Sequence, residues 1–184
     1  YGSDHFNIGI KNHMLVNEAQ TGTKTTKIVS VDPNCSNYTV SIERSNKTSL
    51  DARLAFRVLD MKNYYWARLT QSQLLVYRVK SGQEALVKSY SGLRDTKVLS
   101  VYIKDNVAKF SVDNNDLFDT YVENETATKC GPCFYSATPS AVNNFFVEVD
   151  DAFVDTGFDD YLEQGLLNQS VLGMEATKSF VLDF

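Results

Sequence analysis

Proline is scarce in this chain, at three of 184 residues; glycine is at nine, cysteine at three, histidine at two and tryptophan at one. The two histidines, His5 and His13, both lie near the start. That leaves little material for a histidine-based metal centre or for a nucleophile with an imidazole base. No glycine-rich phosphate loop is present. No stretch approaches the roughly 20 apolar residues that a membrane span requires. No apolar run of signal-peptide type opens the chain. A chain starting at Tyr1 reads as a processed product or a piece of something longer, so nothing about targeting follows. Lys and Arg number 18 against 23 Asp and Glu, for a net charge of −5, and they are scattered. Nucleic acid and anionic membrane surfaces are therefore disfavoured, because both are held by clustered cations. The acidic balance speaks for solubility.

What the chain has in quantity is aromatic and β-branched residues. Ten Tyr and eleven Phe accompany Val, Ile and Thr in the periodic segments, which is strand composition. Apolar and polar residues alternate with period two over 38–44, and further strand-like runs fall at 54–59, 63–70, 73–80, 85–90, 98–103, 107–112, 117–122, 133–136 and 145–149. In the second run Leu54, Phe56 and Val58 fall on one face, with Ala55, Arg57 and Leu59 on the other. Lys104-Asp105-Asn106 reads as a tight hairpin turn, since Asp and Asn tolerate positive φ. Turn signals recur about every 8–12 residues, the spacing of a sandwich or barrel. No helix is expected before residue 155. Beyond it, Phe158, Tyr161, Leu162, Gly165 and Leu166 have helical spacing, and 179–184 reads as a strand. The expected division is a sandwich over 1–154 and a C-terminal extension over 155–184 that packs on the sandwich or docks on a partner.

The run Asp51-Ala-Arg-Leu-Ala-Phe-Arg-Val-Leu-Asp60, followed by Asn63-Tyr-Tyr-Trp-Ala-Arg-Leu69, resembles the concanavalin A-like lectin/glucanase superfamily. The likeness is strongest to the laminin-G-like domains of bacterial and phage surface proteins. Asp4-His-Phe-Asn7 with Met14-Leu-Val16 resembles the opening strands of that family. The stretch from Leu99 to Asp113 resembles its paired central strands, Gly131-Pro-Cys-Phe-Tyr-Ser136 its Gly-x-Gly-Leu-Tyr-Ser motif, and Asn144–Asp150 its closing strand. The ordered set covers about residues 4–154. Asn114-Asn115 departs from it where glycine is usual. The resemblance implies an all-β, two-sheet antiparallel jelly-roll sandwich with one concave face and a short helix/strand appendage. It implies function much less, because this fold serves lectins, glycosidases, adhesion modules and structural spacers.

Several constellations carry chemistry. Cys130-Gly-Pro-Cys133 has the composition of a thioredoxin redox site, but that chemistry needs a helix N-terminus in a βαβ unit, and here the motif runs into Phe134-Tyr-Ser136. A local disulfide or two free thiols remain, or half a zinc site with His5, His13 and Cys35 as the only other soft ligands. Glu148-Val-Asp150-Asp151 is similar to the Glu-x-Asp-x-x-Glu strand of jelly-roll glucanases, but Phe153 stands where the acid/base partner belongs. No enzyme is expected. Asp4, Asp150 and Asp151 would come together if the first and last strands pair as the resemblance implies, a set of hard oxygen ligands suited to Ca²⁺. Asn34, Asn37, Asn46, Asn124 and Asn168 each open an Asn-x-Ser/Thr triplet, read as chance in an Asn-, Ser- and Thr-rich chain.

Aromatics carry the ligand expectation. Tyr64, Trp66 and Arg68 share one strand face in a pattern suited to half exposure, while Tyr65, Ala67 and Leu69 share the core face. Arg57, on the neighbouring strand, joins the first set. Sugar rings lay their C–H faces on Tyr and Trp while polar groups hold the hydroxyls. The alternative is that Tyr64 and Trp66 pack under a loop. The expected function is a non-catalytic glycan-binding or adhesion module of an extracellular or virion surface protein, its partner a glycan or cell-surface polysaccharide. The alternative is a structural phage virion component (tail, spike or capsid decoration) that contacts only other subunits.

Overall fold

The structure, a computed structural model, describes residues 7–11, 14–18, 26–45, 51–123, 126–135, 140–149 and 152–156. Every regular element among them is a strand: β1 Asn7–Lys11, β2 Met14–Glu18, β3 Thr26–Ile28, β4 Tyr38–Arg44, β5 Ala52–Asp60, β6 Asn63–Leu69 and β7 Gln73–Lys80. They continue as β8 Gln83–Ser91, β9 Val98–Lys104, β10 Val107–Val112, β11 Asn115–Tyr121, β12 Lys129–Tyr135, β13 Ser140–Val149 and β14 Ala152–Thr156. β14 crosses the domain boundary expected at residue 154. The helix and strand expected over 158–184 lie outside the described residues.

The strands form two antiparallel sheets. One is eight-stranded, in the order β1-β2-β13-β4-β9-β10-β11, with β14 added on β13. The other is six-stranded, in the order β3-β12-β5-β6-β7-β8. Their facing sides build the core, as period-two strands dictate. Tyr38, Val40 and Ile42 of β4, Val101 and Ile103 of β9 and Phe110 of β10 meet Leu54 and Phe56 of β5 and Tyr65, Ala67 and Leu69 of β6. Phe56 links the layers: its ring stacks on Tyr65 within its own sheet and meets Phe110 of the other sheet edge-on, both at 5.7 Å.

Three hairpins turn on residues with positive φ. β7 and β8 join at Ser81 and Gly82, β9 and β10 at Asp105, and β10 and β11 at Asp113 and Asn114. Asp and Asn enter the left-handed region more cheaply than other side-chain-bearing residues. Asp113-Asn114 therefore makes, without glycine, a turn where glycine was expected. The Asp113 carboxylate also accepts hydrogen bonds from the backbone N–H groups of Lys97 and Val98, at 3.1 and 2.8 Å.

Arg57 breaks the alternation of β5. Its φ is 49°, and the pairing of β5 with β6 shifts register between Phe56 and Asp60. A bulge of this kind inserts an unpaired residue and swaps the faces beyond it. Leu54 and Phe56 face the core, but Val58 joins Ala55 in the cluster on the opposite side of the sheet. The Arg57 side chain is wholly buried. Its guanidinium donates to the carbonyls of Ala127 and Asp105, and its backbone N–H donates to the Tyr38 hydroxyl at 3.2 Å. Arg57 is thus a clasp between β5 and the loops after β9 and β11.

One edge of each sheet is also bulged. β8 ends the six-stranded sheet and slips register against β7 at Val76/Tyr77; β11 ends the eight-stranded sheet and slips against β10 at Phe110/Ser111. All nine residues of β8 are exposed.

Candidate functional site

The outward face of the six-stranded sheet carries a second apolar layer. Ile28, Ala55, Val58, Tyr64, Trp66, Val79 and Cys133 pack together there, with Tyr77 against them. Register sets who meets whom. Arg53 pairs with Arg68, Ala55 with Trp66, and Trp66 with Tyr77 across β5, β6 and β7. On the other flank Tyr135 of β12 pairs with Thr26 of β3. Over this layer opens a cleft of about 390 Å³, lined by Thr26, Arg53, Trp66, Arg68, Tyr77, Glu84, Cys133 and Tyr135.

Trp66 forms the centre of the cleft. Its ring lies parallel to that of Tyr77, with centroids 4.4 Å apart and planes at 11°. The Arg53 guanidinium carbon sits 5.6 Å from the Trp66 centroid and 5.4 Å from that of Tyr135. The indole N–H donates to Glu84 Oε2 at 3.0 Å. With Tyr77, Arg53 and Glu84 around it, Trp66 is only 9% exposed, so it is buried rather than half-exposed. Tyr64 is buried beside it, and burial pushes its hydroxyl well above the ordinary phenol value.

The charges are unevenly matched. Asp51 accepts from Arg68 Nε at 2.7 Å and also meets Arg68 Nη2. The same carboxylate oxygen lies 3.9 Å from Arg53 Nη2, beyond hydrogen-bond reach. The Arg53 side chain is 6% exposed, and its Nε is buried with no hydrogen-bond partner. Burial lowers its pKa from the ordinary guanidinium value, without removing the charge of an arginine.

Of the expected ligand-binding residues, the structure brings Tyr64, Trp66 and Arg68 onto one face, with Trp66 and Arg68 in the cleft. Arg57 does not join them, because the bulge sends its side chain into the interior. Arg53, Tyr77, Glu84 and Tyr135 were not singled out in the sequence. The alternation of β5 does put Arg53 on the same side as Ala55, but nothing in the sequence gives the register that sets it beside Trp66 and Tyr135.

Two other expectations fall elsewhere. Glu148 is exposed on β13, in the eight-stranded sheet, away from the cleft. Asp4, Asp150 and Asp151, expected to hold Ca²⁺, lie outside the described residues. Among the described residues no group of three His, Cys, Asp or Glu side chains could hold a metal ion. Cys130 and Cys133 are free and buried, and they stand on opposite faces of β12: Cys130 in the core between the sheets, Cys133 in the outer layer. Burial pushes the Cys133 thiol up to about 12, with the Arg53 cation pulling the other way. Burial raises Cys130 as well.

The fold, a two-sheet antiparallel jelly-roll sandwich, is shared with solved structures. The carbohydrate-binding module CBM66 from Bacillus subtilis is similar over 78% of this chain and 92% of its own, with a TM-score of 0.58 at 14% identity. The GH43 protein BlXynB from Bacillus licheniformis, solved as a K247S mutant, is similar over 79% of this chain but only 38% of its own, with a TM-score of 0.51 at 9% identity. By sequence, no family model and no curated protein matches the chain.

Proposed function

We propose that the cleft over Trp66 is a non-catalytic saccharide-binding site. The carrying observation is the parallel Trp66–Tyr77 pair bordered by Arg53, Arg68 and Glu84 in an open cleft. Tyr77, braced by the buried Trp66 and itself half-buried in the cleft, offers apolar ring surface to sugar C–H groups, and the fixed charges supply donors and acceptors for hydroxyls. Glu84 accepts while the arginines donate, so a polyol finds both kinds of partner. The fold shared with a Bacillus subtilis carbohydrate-binding module supports the same reading. The site belongs to an extracellular or virion-surface protein, where glycans and cell-surface polysaccharides are met. The exposed Leu86, Val87 and Tyr90 of β8 favour, as the alternative, a structural part that contacts other subunits.

Trp66 is the only tryptophan in the chain, so its fluorescence reports on the cleft alone. A glycan array on the full chain, followed by fluorescence titration with the hits, tests the proposal. Saturable glycan binding that shifts Trp66 emission, and that Tyr77→Ala abolishes without unfolding the protein, is expected. Absence of binding across the array, with a defined oligomer by light scattering, would favour the structural reading.

A further inference from the structure

We infer that the ligand of this cleft is an acidic saccharide whose carboxylate is taken by Arg53. The inference rests on the saccharide reading above and narrows it to one chemical class.

Two guanidiniums and one carboxylate meet at the β5–β6 end of the cleft. Asp51 is committed to Arg68, through Nε at 2.7 Å and through Nη2. Arg53 gets only a 3.9 Å ion contact from the same oxygen. Besides the Arg68 cation and the buried Cys133 thiol, its neighbours are rings: Trp66 and Tyr135, with the guanidinium carbon 5.6 and 5.4 Å from their centroids. Aromatic rings stack on the face of a guanidinium plane and leave its N–H edge to bind acceptors. A cation held this deeply costs free energy unless it is paired and hydrogen-bonded. The protein supplies the stacking and leaves the pairing incomplete. What fits best is a planar, two-oxygen anion, because a carboxylate matches the fork of a guanidinium.

The rest of the cleft argues for a sugar acid rather than a polyanion. Glu84 comes from β8, three strands from β5 in the sheet order, and stands beyond the Trp66 ring, where it accepts the indole N–H. A densely charged ligand laid along the cleft would meet that carboxylate and be repelled. A uronic acid presents one carboxylate at one end and neutral hydroxyls across its ring. Its carboxylate can face Arg53, its C–H face the half-buried Tyr77, and its hydroxyls Glu84.

The test uses the full chain and pairs of oligosaccharides that differ in one group: oligoglucuronate, oligogalacturonate and oligomannuronate, each beside its carboxyl-reduced neutral counterpart. Titration calorimetry with Trp66 fluorescence should show at least one acidic member binding tenfold or more tightly than its reduced partner. Arg53→Gln should bring the acid down to the affinity of the neutral sugar, and Arg53→Lys should restore only part of the preference. A reduced sugar binding as tightly as its acid would overturn the carboxylate inference and leave the saccharide reading standing. Failure of these pairs and of every glycan on the array would overturn both. The comparison within the wild-type chain decides the matter even if Arg53→Gln does not fold.

Discussion

The ring of Trp66 lies 4.4 Å from that of Tyr77, the planes 11° from parallel, so each ring covers a face of the other and the pair ties two neighbouring strands together. Stacked pairs of this kind are worth more than the area they bury, by roughly 0.5–1.5 kcal/mol. Because Trp66 is buried, it supports the sheet as well as the cleft. Trp66→Ala should therefore cost about 3 kcal/mol in urea unfolding, at the lower end for buried large aromatics, since the cleft lets water into the gap. Trp66→Phe keeps a ring on Tyr77 and loses only the donor to Glu84, for about 1 kcal/mol. A loss for Trp66→Ala within about 0.5 kcal/mol of zero, the range of ordinary surface changes, would contradict the burial.

Cys130 and Cys133 make the second prediction. Residues three apart on a strand point to opposite faces, so no disulfide joins them while β12 stays in the sheet. In the native protein at neutral pH both should resist a thiol reagent, and both should react once denaturant is added. Reduction of insulin by the wild-type chain would contradict this. The same thiols tie stability to alkaline pH. Each has a folded pKa raised above its unfolded value, Cys133 to about 12. Their contribution is therefore complete below the unfolded thiol pKa of about 8.5 and is lost as pH rises from there toward 12. Cys133→Ala should make the decline of melting temperature above pH 9 shallower than in the wild type.

Gly131 is the third. A Cβ there would stand 1.9 Å from the Val29 carbonyl oxygen, across the contact where Val29 N–H donates to Pro132 O at 2.9 Å. The obstacle is backbone, which does not rotate aside. Gly131→Ala should cost about 3 kcal/mol or more, the upper range for overpacking, and should detach β3 from β12. Gly92→Ala is the control: nothing lies within 4 Å of its Cβ position, so only the backbone cost of its positive φ remains. Equal losses for the two would contradict the steric account.

Calcium gives the fourth. If Asp4, Asp150 and Asp151 hold Ca²⁺, excess chelator should lower the melting temperature, because a ligand that binds only the folded chain stabilises it by mass action. Asp150→Ala should remove that sensitivity. Superimposable melts with and without chelator would leave these carboxylates without a cation.

The alternation of Tyr38, Val40 and Ile42, of Tyr65, Ala67 and Leu69, and of Leu99, Val101 and Ile103 was legible in the sequence because one face of each strand is core. The Asp105-Asn106 turn was legible because its residues suit its dihedral angles. Tyr64, Trp66 and Arg68 could be assigned to one face for the same period-two reason. What alternation cannot carry is a break in itself. Arg57 adopts a left-handed backbone that its side chain does not announce, so Val58 and Arg57 both end up away from their expected places. Nor does a strand record its partners. Arg53 and Glu84 come to flank Trp66 through cross-strand register, which the bulge in β5 sets for Arg53 and the tight β7–β8 turn sets for Glu84. Trp66 is buried on what looked like an open face because residues from β3, β5, β7 and β12 cover it.

The bulges in the edge strands β8 and β11 have a consequence for the protein in bulk. A sheet edge is a template onto which any extended chain can hydrogen-bond, and the common guards are proline, charge and irregular geometry. With three prolines in the whole chain, these edges use charge, Glu84 and Lys88 on β8 and Asp116 and Asp119 on β11, together with irregular geometry. β8 and β11 each slip register partway along, so an incoming strand that matched one half would fall out of step with the other. Straightening either kink by deleting one residue would keep the sandwich and its cleft, but would give each molecule a continuous rail for the next. Such a variant should form thioflavin-positive fibrils at concentrations where the parent stays dispersed.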